Sequence, residues 1–273
     1  MKMEFRTVVD IPAPDFRIAP CERLLFVGSC FADHIGARFS EEKFRCTVNP
    51  FGVMYNPVSI LHTVQRLSLE GLKEPPAVAF LTLGTNHVYR LKATGEIVDN
   101  CQKRPQTLFT EEQLSVEACA DSLERAVDVL RDINPAIRVV LTVSPIRYRK
   151  YGYHGSQLSK ATLLLAVDRL QARFPDLYYF PAYEIVVDEL RDYRFYAPDM
   201  LHPSSQTVDY LWERLSATML SDEAKTFLRE WQPLKAALNH KPFHPDSDEY
   251  RRFMDKTMLK VAELQKKYTT FAL

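Results

Sequence analysis

Short apolar runs that stop at small or turn-forming residues alternate along this chain with longer stretches of helical periodicity. Leu24 to Val27 halts at Gly28-Ser29-Cys30 and passes into Phe31 to Phe39, where residues 31, 35 and 39 share a helical face. A second run, Phe44 to Val48, ends at Asn49-Pro50-Phe51-Gly52, and after Asn56-Pro57 a helical pattern runs through Ile60, Leu61, Val64 and Leu67. A third, Ala77 to Leu83, ends at Gly84-Thr85-Asn86-His87, and Val88 to Val98 alternates around a turn at Ala93-Thr94-Gly95, which predicts a hairpin. Residues 111–132 read as a helix capped by Thr110, with Val116, Ala120, Leu123, Val127 and Leu130 as its buried stripe. A fourth strand, Arg138 to Val143, stops at Ser144-Pro145 and precedes a helix around 157–173. A fifth, Leu177 to Phe180, leads to a short helix near 184–190, an aromatic loop from Tyr193 to Pro203, and a helix from about 205 to 220.

Strands alternating with helices predict an α/β domain: a parallel sheet of about five strands, doubly wound, with helices on both faces and a β-hairpin insertion. Ligands of such sheets bind beyond the carboxyl ends of the strands. That rule gathers Gly28-Ser29-Cys30, Asn49 to Gly52, Gly84 to His87 and Asp199 to His202 at one edge. The expected division is a main domain over 1–220 and a helical extension over 221–273. In the extension, Tyr250, Met254, Thr257, Val261, Leu264 and Tyr268 form a narrow seam that either docks on its own chain or makes a homodimer contact.

Composition narrows the function classes. Thirty-five basic side chains balance thirty-five acidic ones, which argues against a general nucleic-acid or membrane-surface binder. No apolar run approaches the roughly 18 to 20 residues that span a bilayer, and no signal-peptide core follows Met1, so a cytoplasmic location is expected. The five cysteines, at 21, 30, 46, 101 and 119, include no Cys-x-x-Cys and predict neither a zinc knuckle nor a dithiol site.

Acyl transfer needs a nucleophile, a base, an orienter for the base and donors for the oxyanion. Ser29 and Cys30 are two candidate nucleophiles at a helix start, where unpaired amides and the macrodipole favour developing negative charge. Asp199 and His202 can supply orienter and base from one loop. In the alternative reading, Ser29 caps the helix and Cys30 packs beneath it. Asn100, after the hairpin, and Arg147, after the fourth strand, fall near the same edge, where the guanidinium can hold a carboxylate or phosphate or can brace the loop. His154 precedes a helix there, and His87 either lines the pocket or is a hydrogen-bonded core histidine.

Gly28-Ser29-Cys30-Phe31-Ala32 resembles the eponymous motif of the GSCFA-domain family, itself similar to a branch of the SGNH (GDSL-like) hydrolases. Gly52, Gly84-Thr85-Asn86 and Asp199-Met200-Leu201-His202 fall in the matching order, and the resemblance covers about residues 20–220. It implies a flavodoxin-like, three-layer α/β/α domain with a Ser-or-Cys, His, Asp triad. It also implies an oxyanion hole from the nucleophile's amide, the Gly52 amide and the Asn86 side chain, with no metal or organic cofactor. Register with the usual Gly-Asp-Ser block puts Cys30 at the nucleophile's place and Ser29 at the aspartate's. The expected activity is an esterase-like acyl hydrolase, or an acyltransferase, acting through an acyl-enzyme on a small acylated metabolite or carbohydrate. The alternative is a non-catalytic binding module on the same scaffold.

Overall fold

Five parallel strands, the central three almost wholly buried, organise the computed structural model, which describes residues 5–72 and 74–271. They are β1 (Arg23–Gly28), β2 (Arg45–Val48), β3 (Val78–Leu83), β7 (Arg138–Val143) and β8 (Tyr178–Tyr179), in the order β2-β1-β3-β7-β8. The strand order reverses direction once, between β1 and β3, as right-handed crossovers with the first helix on one face and the later ones on the other require. The sheet alternation divides β1 between two cores. Leu24 and Phe26 join Phe39, Phe80 and Trp212 under α1 (Cys30–Glu41) and α6 (Ser205–Met219). Leu25 and Val27 join Leu81, Leu123 and Leu163 under α2 (Pro57–Glu70), α3 (Val116–Ile133) and α4 (Gly152–Arg173). The domain is thus a three-layer α/β/α sandwich.

The insertion departs from the sequence expectation at one element. It is a three-stranded antiparallel sheet in the order β5-β4-β6, with β4 at His87–Leu91, β5 at Ile97–Val98 and β6 at Phe109–Gln113. Residues 111–113 are therefore strand, and α3 starts at Val116, capped by Ser115 whose hydroxyl accepts from the Ala118 amide. Tertiary pairing overrides the acidic helix-start signal. Phe109 is buried, and Glu112 forms an ion pair with Arg90 at 2.9 Å across the ladder. Downstream, the expected stripe is buried at Ala120, Leu123, Val127 and Leu130 and half-buried at Val116.

A short helical turn α5 (Ala182–Glu184) continues into a π-turn over Ile185–Leu190 before the aromatic loop. After α6, the helices α7 (Asp222–Leu238) and α8 (Asp248–Lys267) pair with each other. The seam residues Val261, Leu264 and Tyr268 pack with Phe227, Trp231 and Leu234 of α7 and with Cys21 of the main domain. Lys235 and Gln232 both donate to the buried Glu42 carboxylate at 2.8 Å, which ties α7 to the end of α1. No described helix is long and apolar enough to cross a membrane.

Candidate active site

At the end of β1 the backbone turns sharply into α1. Gly28 has φ +145°, and a Cβ there would lie 2.1 Å from the Thr82 carbonyl oxygen, so only glycine permits this approach of β1 to β3. The Gly28 amide donates to Asn49 Oδ1 at 2.9 Å, and the Ser29 amide donates to the Thr82 carbonyl at 3.1 Å. Ser29 is fully buried. Its hydroxyl lies 3.2 Å from Thr82 Oγ1 and accepts from the Phe31 amide at 3.3 Å, so it serves as the N-cap of α1. Cys30 is the first helical residue, half-buried, with Sγ 3.8 Å from the Tyr55 hydroxyl. The Ser29 hydroxyl is thus spent on the fold, while the next residue, Cys30, packs against the α1-side core and keeps part of its surface exposed.

The second part comes from the loop between the π-turn and α6. Asp199 Oδ1 accepts from the amides of Leu201 at 2.9 Å and His202 at 3.0 Å, while Oδ2 meets His202 Nδ1 at 2.6 Å. Those hydrogen bonds to the ionised form hold the Asp199 carboxyl down to about 2, with the His202 amide contributing most. An ionised carboxylate at Nδ1 requires that nitrogen to carry its proton, which leaves Nε2 as the acceptor a general base needs. The loop is braced by Arg147, whose amide donates to the Leu201 carbonyl at 3.0 Å and whose guanidinium donates to the Met200 carbonyl at 3.1 Å.

Helix α1 joins the two parts. Cys30, Asp33 and His34 lie at spacings of three and four on one face, and the His34 ring meets the His202 ring edge-on at 6.4 Å between centroids. Burial, then the neighbouring His202, lowers the His34 imidazole below its ordinary range. Among the described residues no hydrogen bond joins Cys30 to His202; the thiol's partner is Tyr55.

The remaining sequence candidates divide. The Gly52 amide is spent within its own turn, donating to the Asn49 carbonyl at 2.8 Å. Asn86 is buried, its side-chain amide donating to the Leu114 carbonyl at 2.8 Å and its Oδ1 lacking a partner. His87 stacks on Tyr151 at 3.6 Å with Nδ1 3.3 Å from Glu111; burial outweighs that carboxylate and lowers its imidazole. Asn100 closes its own turn by accepting from the Gln102 amide at 2.7 Å, and it lines a separate hollow with His62, Asp99 and Arg66. His154 is exposed on the first turn of α4. Arg147 lies against Tyr153, Tyr193 and Tyr196 and lines a cavity of about 280 Å³ beside the Asp199 loop.

Three residues at this edge escaped the sequence reading. Tyr55 follows Gly52 by three positions, and its carbonyl accepts from the amides of Gly84 at 2.9 Å and Thr85 at 2.8 Å. The Tyr148 hydroxyl is buried without a partner, and its ring meets Tyr55 edge-on at 6.1 Å. Lys160 is buried beneath them, donating to the Gly84 carbonyl at 2.6 Å and the Ser144 carbonyl at 2.7 Å. Burial lowers its ammonium to about 7, and the neutral amine still has the two N–H donors these carbonyls require. Its place on the same helical face as Leu163, Val167 and Leu170 was the available signal.

Fold and edge together describe a doubly wound α/β protein with a helix-start thiol and an Asp–His pair at its carboxyl edge. The chain belongs to the GSCFA family, whose model matches residues 23–76 and 72–215. Residues 231–273 match the GSCFA domain protein, C-terminal domain, so the likeness extends into α7 and α8, past the expected limit near 220. No curated protein matches the chain. Among solved structures it is similar to a protein from Parabacteroides merdae described as a GDSL-like lipase (13% identity, 75% of this chain and 100% of that chain, TM-score 0.49). It is also similar to a member of the lipolytic protein G-D-S-L family from Veillonella parvula (11% identity, 72% and 97%, TM-score 0.47). A carbohydrate esterase family 3 structure from Talaromyces cellulolyticus is a third (10% identity, 77% and 99%, TM-score 0.42).

Proposed function

We propose that this protein is an acyl hydrolase in which Cys30 attacks an ester carbonyl, His202 moves the proton and Asp199 sets the imidazole tautomer. The observation that carries the reading is the 2.6 Å contact from Asp199 Oδ2 to His202 Nδ1, with the imidazole edge over the same face of α1 that starts with a half-exposed thiol. Two backbone amides pre-set the carboxylate, so the orienter needs no reorganisation during the reaction.

In the forward half-reaction His202 Nε2 takes the thiol proton, the Cys30 sulfur bonds to the carbonyl carbon, and the π pair moves to oxygen. Collapse expels the alcohol, which receives the proton from His202, and leaves a thioester on Cys30. Water then repeats the sequence, delivering its proton to His202 and then to the departing sulfur, and frees the acid. The thiol and imidazole approach each other during acylation, as catalytic hydrogen bonds that are long before substrate binding commonly do. A small acyl group on a metabolite or carbohydrate hydroxyl is the substrate class in keeping with the family resemblance. Water exclusion decides whether water or another acceptor takes the acyl group.

The test is covalent labelling with an activated aryl ester followed by peptide mapping. Label on Cys30 that is lost in His202→Ala supports the reading. Label on Ser29 would overturn the role given to Cys30 and pass it to the serine; no acylation of either residue by any ester under conditions where the fold is intact overturns the hydrolase reading in favour of a binding module on this scaffold.

A further inference from the structure

The acyl-hydrolase reading needs a home for the oxyanion, and the expected donors are committed elsewhere. The Gly52 amide points into its own turn at the Asn49 carbonyl, 2.8 Å away. The Asn86 side-chain amide donates to the Leu114 carbonyl at 2.8 Å, turned toward the insertion. The Cys30 amide stays available, because a first helical residue has no intrahelical acceptor for its N–H. One donor alone is a poor hole.

The polar group that does face the sulfur is the Tyr55 hydroxyl, 3.8 Å from Sγ. Resting on the acyl-hydrolase reading, we infer that Tyr55 is a catalytic residue whose hydroxyl donates to the oxyanion formed when Cys30 attacks, in partnership with the Cys30 amide. Useful oxyanion donors lie about 2.7 to 3.1 Å from where the oxygen arrives, which is not where the ground-state carbonyl sits. A hydroxyl in contact with the attacking sulfur lies next to the oxygen of the carbon that the sulfur captures. The donor is also held in place. The Tyr55 carbonyl is gripped by the Gly84 and Thr85 amides, and the next residue, Asn56, caps α2 by accepting from the Ser59 amide at 2.9 Å. Tyr55 as a whole residue keeps 39% of its surface exposed, so a substrate can reach it. Burial and the adjacent Cys30 raise the phenol to about 12, so it keeps its proton at neutral pH and acts as a donor. Thiol attack, movement of the π pair to oxygen and collapse leave the Tyr55 proton where it began, so the step balances as already written.

Two reactions of the same sulfur test this. Acylation by an activated ester passes through an oxyanion; alkylation by iodoacetamide forms the carbon–sulfur bond, expels iodide and puts no new charge on the carbonyl oxygen. In Tyr55→Phe, the acylation rate of Cys30 is expected to fall by about 10²-fold, while alkylation stays within about twofold and the thermal midpoint is retained. Equal slowing of both reactions would overturn the inference, because Tyr55 would then act on the thiol itself. Unchanged acylation would overturn it as well. A wild-type thiol that alkylates but never acylates would sink the hydrolase reading, and this inference with it, a result distinct from either Tyr55 outcome.

Discussion

Two histidine–aspartate pairs lie at the carboxyl side of this sheet, and on distance alone they are near twins. His202 Nδ1 is 2.6 Å from Asp199, and His62 Nδ1 is 2.8 Å from Asp99. Side-chain exposures are 36% and 45% for the first pair, 38% and 35% for the second. The surroundings separate them. Asp199 is held by two backbone amides, and its histidine leans over the α1 face that carries Cys30. Asp99 belongs to the loop after β5, and its bond to His62 ties the insertion to α2 in a hollow lined by Phe51, Arg66 and Asn100. A His–Asp contact is therefore a common way to pin a loop. The proposed mechanism needs more than that contact: a carboxylate that is pre-set and a nucleophile on the same face.

The largest expected effect breaks or upholds that contrast directly. Cys30→Ala is expected to bring ester turnover to background, and His202→Ala to lower it by about 10²- to 10⁴-fold. His62→Ala should leave turnover within about twofold. Comparable losses in the two histidine variants, measured side by side on one aryl ester, would erase the distinction between the pairs. Asp199→Asn adds a finer cut: the amide keeps the shape but no longer favours the proton on Nδ1, so the rate should fall while substrate binding holds.

Stability effects come next. Lys160→Met leaves the Gly84 and Ser144 carbonyls without donors beneath the first pair's edge. Unpaired buried acceptors cost about 1 to 3 kcal/mol each, so denaturant melts should show a loss of that order. A neutral effect would mean that the two carbonyls find other donors. Ser29→Ala removes a cap and is expected to cost about 1 kcal/mol while Cys30 still labels. Loss of labelling with stability intact would return the hydroxyl to the chemistry.

Much of this was legible in the chain because it is local. Gly28 and Gly84 punctuate β1 and β3, and Asp199 sits three residues before the histidine whose amide and ring it binds. The failures are tertiary. Thr110-Glu111-Glu112 looks like a helix start until β4 supplies Arg90 as a partner for Glu112. Register favours Cys30 over Ser29 by similarity alone, and the burial of Ser29 against Thr82 is the physical difference between them that the chain does not display. Tyr55 is brought to the sulfur by the loop after β2, which the Met54 amide ties to the Gly28 carbonyl and the Gly84 and Thr85 amides tie to the end of β3, contacts that no spacing along the chain encodes. Sequence similarity likewise named Gly52 and Asn86 as donors without revealing that both already have acceptors.

The smallest effect probes the second pair in its own terms. The hydrogen bond from His62 Nδ1 to Asp99 raises the imidazole above its ordinary 6.5, the largest of the influences on it. A folded-state value above the unfolded one stabilises the fold fully below the unfolded pKa and is lost as pH rises through the folded one. The stability difference between wild type and His62→Ala should therefore be greatest below about pH 6.5, where His62 is protonated. It should shrink as pH climbs above that range. Because both groups are about a third exposed, solvent screens the pair, and the gap at its widest is expected to stay under about 1 kcal/mol. Thermal melts of the two proteins at matched ionic strength across pH 5 to 9 read it out. A gap that grows with pH would show that His62 is held neutral, and the pair would no longer be the electrostatic tie that distinguishes it from the one at Asp199.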